Sequence, residues 1–179
     1  MSARGWFLLA FGWMGAIYST LYVARPVAEF LRARNLLRLT VWSVVALLGI
    51  AVVIWAVRRR PGVRGWGALA LGSVAFLLAM STVYQVEVKL HFVEYGLLGG
   101  LFYLALQAAN ARLASVWAIV LTGAAGWIDE GIQYLLPNRW YDLEDVGINL
   151  LGGAIAVLTM GLFGWDKGRE TPVQPERGD

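Results

Sequence analysis

Uncharged, largely apolar runs recur along the chain at 5–24, 39–57, 65–86, 95–111, 113–128 and 146–165. Each is close to the roughly 20 residues that carry a helix across a bilayer's hydrocarbon core. The fifth run predicts a helix that continues to Leu136, taking Asp129 and Glu130 into the membrane, and Pro137 ends it because proline has no N–H to donate. The first run follows Met1-Ser2-Ala3-Arg4, and its length identifies it as a retained membrane helix, not a cleaved signal. The expected fold is all-α: a polytopic membrane helical bundle of about six transmembrane helices with both termini on the same side.

The connections are short, with one exception. Between 25 and 38, Val27, Phe30 and Leu31 share a face that Arg25, Arg32 and Arg38 avoid, and Pro26 suits a first helical position. This pattern predicts a short amphipathic helix lying in the interface. Residues 1–64 are therefore expected to hold two membrane helices and this loop helix, 65–166 a four-helix domain, and 167–179 a polar tail. No internal repeat supports an inverted-repeat transporter.

Composition agrees with the runs. Hydrophobic residues make up 59% and charged residues 15%, against about 45–50% and 25% in soluble domains. So little charge cannot cover a water-facing surface, and the apolar excess must face lipid. The nine tryptophans suit headgroup-level belts. There are no cysteines, which excludes disulfides, thiolate metal sites and thiol nucleophiles. No basic run is interleaved with exposed aromatics, so nucleic acid is not an expected partner.

Charge adds an orientation. With six spans, one side carries Arg4, Arg58, Arg59, Arg60, Arg64, Arg112, Lys167, Arg169 and Arg177. The other carries Arg25, Arg32, Arg34, Arg38, Lys89 and Arg139. The basic excess makes the first side cytoplasmic, both termini included. The acids are more lopsided. Glu29, Glu87, Glu94, Asp129, Glu130, Asp142, Glu144 and Asp145 fall on the second, outward side, and the remaining four all lie beyond residue 165.

Three outward segments carry this polarity. Glu87, His91 and Glu94, at spacings of four and three, are expected on one face of a helix. Asp129, Glu130 and Gln133 share a face near the end of the fifth helix. Asp145 and Asn149 are four apart on the sixth, with Gly152 and Gly153 following, where small residues permit close helix approach. At 1.5 Å per residue, Asp129 lies about 10 Å below the helix end. An acid at the bilayer centre costs about 2.5–3.5 kcal/mol, so such groups face the bundle interior and are functional candidates by default.

The segments Lys89-Leu-His91-Phe92-x-Glu94-Tyr95, Asp129-Glu130-x-x-Gln133, Pro137-x-Arg139 and Asp142-x-x-Asp145-x-x-x-Asn149-x-x-Gly152 together resemble the VanZ-like family. These are bacterial integral membrane proteins named after a protein linked to teicoplanin resistance. The resemblance covers 65–165 and leaves the first two helices outside. It implies an envelope role in the cytoplasmic membrane and supplies no agreed reaction.

The residues themselves admit two kinds of role. His91, Glu94, Asp129 and Glu130 form a candidate acid/base or hydrogen-bonding cluster. Lys89, Arg139, Gln133, Asp142, Asp145 and Asn149 are candidate ligand contacts, with Lys89 and Arg139 placed to hold an anionic headgroup. Arg139 suits an oxyanion because its planar fork binds bidentately. Against these stand plainer roles: helix locking by an acid paired with Lys89 or Arg139, snorkelling of Arg139 between Trp140 and Tyr141, and capping of the sixth helix by Asp142 or Asp145. Zinc-protease spacing is absent; no metal is assigned, and the residues name no cofactor. The expected partners are membrane lipids, a phospholipid or polyprenyl-phosphate headgroup among them. A non-enzymatic accessory protein and a small transporter are the alternatives. The orientation is testable with reporters: a periplasm-active enzyme fused after Pro137 is expected to work and one fused at Gly62 to be silent, and the reverse pattern would invert the topology.

Overall fold

The computed structural model describes residues 1–137 and 139–164. The expected polar tail, 167–179, lies outside the described residues. Six helices follow in order: α1 (Ala3–Ala33), α2 (Leu37–Arg59), α3 (Val63–Thr82), α4 (Lys89–Ala108), α5 (Ala114–Tyr134) and α6 (Leu143–Phe163). The described regular structure is all helical, as the runs predict. By length and composition α1, α2, α3 and α6 are each apolar enough to cross a membrane. The other two, α4 and α5, match them in length but carry the polar segments. They can do so because neighbours shield them from lipid. Twelve of the 20 residues of α4 are buried, against three of 23 in α2.

Two boundaries differ from expectation. The first helix does not stop at residue 24: α1 continues through Pro26 to Ala33 as one 31-residue helix. At 1.5 Å per residue it is about 46 Å long, well beyond the ~30 Å hydrocarbon core. Its arginine-bearing end therefore extends out of the apolar layer, where the one backbone bond that a proline forfeits can be replaced by water. Glu87 is also not on a helix. It sits in the turn before α4 and pairs with Arg32, tying the end of α1 to that turn.

Side-chain contacts fix the helix directions. Along α4 and α6 the contacts run the same way: Gly152 meets Phe92, Gly153 meets Gly99, and Met160 meets Gly100. Along α5 and α6 they run oppositely: Leu150 faces Gly123 and Asn149 faces Gly126. Thr159 against Gly72 and Phe163 against Gly65 make α3 antiparallel to α6 as well. The helix α1 is antiparallel to α4, through Trp13 Nε1 donating to Glu94 O (3.0 Å) and an edge-to-face contact of Phe11 with Phe102. One end of the bundle therefore gathers the starts of α4 and α6 and the ends of α1, α3 and α5.

The core joins both halves of the chain. Ala10 and Ile17 of α1 pack with Tyr95, Leu98, Phe102 and Tyr103 of α4, Ala118 and Ala125 of α5, and Val157 of α6. The helix α1 is thus built into the same bundle as the last four. Only α2 is peripheral, burying Leu37, Val41 and Ala56.

Helices inside a bilayer gain no hydrophobic free energy by associating, so close packing must hold them. Here α4 and α6 touch backbone to backbone. A Cβ on Gly99 would lie 3.0 Å from the Cα and carbonyl oxygen of Gly153. One on Gly152 would lie 3.0 Å from the Cα and carbonyl of Phe92. One on Gly153 would come within 2.5 Å of Thr122 on α5. Gly153→Leu is therefore expected to destabilise the fold by about 1–3 kcal/mol, read as a lower unfolding temperature in detergent. Gly131→Ala, which meets open space, should leave that temperature unchanged.

Candidate functional site

The expected site residues gather at the end where α4 and α6 begin and α5 finishes, and the structure divides them into three groups. The first group is used on the protein's own backbone. Lys89 is buried, and its ammonium donates to the carbonyls of Met80 and Val83 at the end of α3. The Met80 carbonyl also accepts the N–H of the C-cap Val83 at 3.4 Å, and a basic group at a helix C-terminus complements the dipole. Lys89 was expected to contact an anionic ligand; its charge is instead used in closing α3.

The second group locks the α5–α6 loop. Glu130 is fully buried, accepts from Gln133 Nε2 (2.7 Å) on one oxygen and from the backbone N–H of Asp142 (3.1 Å) on the other. Asp142 in turn caps α6, its Oδ1 accepting from the Glu144 N–H at 2.8 Å. Each member occupies the next, so the loop is held across twelve residues of sequence. Capping by an aspartate at this position is the plainer of the two roles its sequence allowed.

The third group is incomplete. Asp129 of α5 has no exposed side-chain surface, and neither of its carboxylate oxygens has a hydrogen-bond partner. His91 Nδ1 stands 3.9 Å from Asp129 Oδ2, beyond hydrogen-bond range, and 3.1 Å from Asn149 Oδ1. With its proton on Nδ1, His91 donates to Asn149. The Asn149 amide nitrogen is buried without an acceptor, and so is the Tyr141 hydroxyl without a partner. Tyr95 and Gln133 come close to Asp129 but donate elsewhere, to Ala125 O and Glu130. Glu94, half-buried one helical turn after His91, lies within electrostatic reach of Asp129. Arg139 acts on both His91 and Asp145.

Buried polar groups are nearly always paired, and an unpaired one costs about 1–3 kcal/mol. Asp129 and Asn149 therefore stand out among the described polar groups at this end, each meeting His91 and each with a buried polar atom left unpaired. The cluster is not sealed, since the His91 side chain retains 17% of its exposure. Arg139, which acts on His91, lines a cleft of about 550 Å³ between α1 and the α5–α6 loop, with Leu21, Tyr22, Arg25, Pro26 and Glu29 on the opposite wall; Asp129, His91 and Asn149 do not line it. Among the described residues no group of three His, Asp or Glu is arranged to hold a metal ion.

Sequence reasoning missed one member, Tyr18, and gave no role to another, Tyr95. Tyr18 of α1 donates to Ala125 O at 2.7 Å, directly beneath the cluster on α5, and Tyr95 reaches the same carbonyl at 3.5 Å. In an apolar run a tyrosine reads as a belt residue, and nothing local tells a buried hydroxyl from an interfacial one. Its distance from the run's end is the one available signal: Tyr18 falls well inside α1.

The division predicts opposite responses to substitution. Glu130→Ala removes the acceptor of one buried and one part-buried donor and is expected to lower stability by about 1–3 kcal/mol. Asp129→Asn removes an unpaired carboxylate and is expected to leave the unfolding temperature in detergent unchanged or raised. A large loss in Asp129→Asn would mean that the carboxylate serves the fold.

A family model described as VanZ/LLP1 matches residues 6–164. The match takes in α1 and α2 as well as the last four helices, to which the sequence resemblance was confined. Searches of curated proteins and of solved structures found no match. With the match spanning most of the chain, from α1 through the incomplete cluster to the end of α6, this protein belongs to the VanZ/LLP1 family.

Proposed function

We propose that the cluster around Asp129 and the adjoining cleft bind the headgroup of an envelope amphiphile carrying a phosphate: a phospholipid, a polyprenyl phosphate or a lipid-linked precursor. One observation carries this reading, the fully buried Asp129 with both oxygens unpartnered, facing a partly exposed histidine. Ionisable groups inside a membrane are expensive and mark function by default. Arg139 supplies the anchor, its guanidinium fork matching two phosphate oxygens. His91, Glu94 and Asp129 supply donors and acceptors to the polar part of the headgroup, and a proton path if a bond is broken there. Asn149 orients His91, and Asp145 sits within electrostatic reach of Arg139. The cleft opens beside α1, which brings the first helix into the same site.

This reading places the cluster on the outward face of the bacterial cytoplasmic membrane, with both termini in the cytoplasm, following the distribution of arginines. A contribution to teicoplanin susceptibility would follow from altered handling of a cell-wall lipid intermediate, and it rests on the family alone.

A second reading is favoured by the fates of Lys89, Glu130, Gln133 and Asp142, all of which serve the protein's own backbone or one another. Under it the polar end only sets packing, and the protein is a non-enzymatic accessory component. Binding of farnesyl phosphate to the purified protein separates the two. The wild type is expected to be stabilised thermally by the probe, and Arg139→Ala to need at least about tenfold more of it, the change that loss of a charge-assisted pair produces. Glu94→Gln and Asp129→Asn should weaken the response while still accumulating in the membrane. Unchanged responses in all three variants would remove the cleft as a binding site, and failure of all three to accumulate would support the packing role.

A further inference from the structure

The opposite end of the bundle holds a larger cavity, of about 1090 Å³, that the Asp129 cluster does not touch. Its wall is contributed by the start of α1, the α2–α3 turn, the end of α4 and the end of α6. The lining has two characters. Trp6, Leu104, Leu162 and Phe163 make it apolar where these helices run into the membrane. Arg60, Arg64, Gln107 and Asn110 make it polar and basic at the rim.

The rim is held in a defined shape. Arg60 takes the left-handed conformation, with φ of 50° and ψ of 55°, at the end of α2, and its N–H closes on Ala56 and Val57. Pro61 follows, and Gly65 admits it closely, since a Cβ there would lie 2.6 Å from the proline ring. The turn thus brings Arg60 and Arg64, four residues apart, to the same cavity from the end of α2 and the first turn of α3; Arg59 lines it as well, with its guanidinium over the Trp55 ring at 5.7 Å. Among the described residues, no acidic one lines it.

We infer that this cavity is a second lipid site, one that holds the headgroup of an anionic phospholipid with Arg60 and Arg64 on the phosphate and the acyl chains along Trp6, Leu162 and Phe163. The volume is of the size that small-molecule sites occupy. A basic pocket between membrane helices is a recurrent anionic-headgroup site. The apolar wall favours a lipid over free phosphate, because a soluble anion would leave that wall uncovered. Arg58 is the natural control: it lies in the same basic run but does not line the cavity.

The test uses the full chain, delipidated in a neutral detergent, with thermal unfolding followed against dioctanoyl phosphatidylglycerol, dioctanoyl phosphatidylcholine and inorganic phosphate. Phosphatidylglycerol should stabilise the wild type, at concentrations at which the other two do not. The double variant Arg60→Gln with Arg64→Gln should need at least about tenfold more phosphatidylglycerol for the same shift, the loss of one or two charge-assisted contacts. Arg58→Gln should keep the wild-type response. Equal stabilisation by phosphatidylcholine or by phosphate, an unchanged response in the double variant, or an equal loss in Arg58→Gln would each overturn the assignment. Repeating the comparison in an Arg139→Ala background removes any response from the Asp129 site at the other end, so failure here and failure of that site are read separately.

Discussion

The architecture depends on the backbone contact between α4 and α6. In a bilayer, lipid tails are as apolar as leucine, so helices are held by close van der Waals fit and by polar contacts, not by exclusion of water. Gly99 against Gly153, and Gly152 against Phe92, let the two helices meet without intervening side chains. That approach makes α4 the central helix and lets α1, α3 and α5 pack around the pair. It also sets the register of the site. Asn149 stands one helical turn before Gly153, and His91 stands next to Phe92, so the glycine contact brings the two into hydrogen-bond distance.

Once α4 and α6 are paired, the polar residues at their starts have to be satisfied, and most are. Lys89 closes α3, Glu130 holds Gln133 and the loop backbone, and Asp142 caps α6. These groups reduce the cost of placing charge near lipid by giving it partners within the protein. Asp129 and Asn149, on α5 and α6, do not follow this rule. A fold that pairs its other buried groups and leaves one cluster open points to a role for that cluster outside the fold.

The two ends of the bundle differ in chemistry. The end with the cluster mixes acids with arginines, and Arg25–Glu29 and Arg32–Glu87 pair on its surface. The opposite end is arginine-rich, and its cavity is lined by basic, amide and apolar groups.

Hydropathy alone determined the helix count, the membrane environment and the end at which the acids collect, because a bilayer imposes one length and one polarity on every span. The i, i+3 and i, i+4 spacings also put His91 with Glu94, and Asp145 with Asn149, on single helical faces, since those spacings follow from helix geometry. Other features needed the tertiary structure. The run of α1 through Pro26 was illegible, because a proline near water costs a helix little, and local pattern cannot weigh that cost against packing. The fates of Lys89, Glu130 and Asp129 were equally hidden. All three are ionisable residues at similar depth in similar surroundings, and which of them finds a partner depends on atoms supplied by other helices. Tertiary packing gave Lys89 the carbonyls of α3 and Glu130 the loop backbone, and left Asp129 facing His91, with the nearby Tyr95 and Gln133 donating elsewhere.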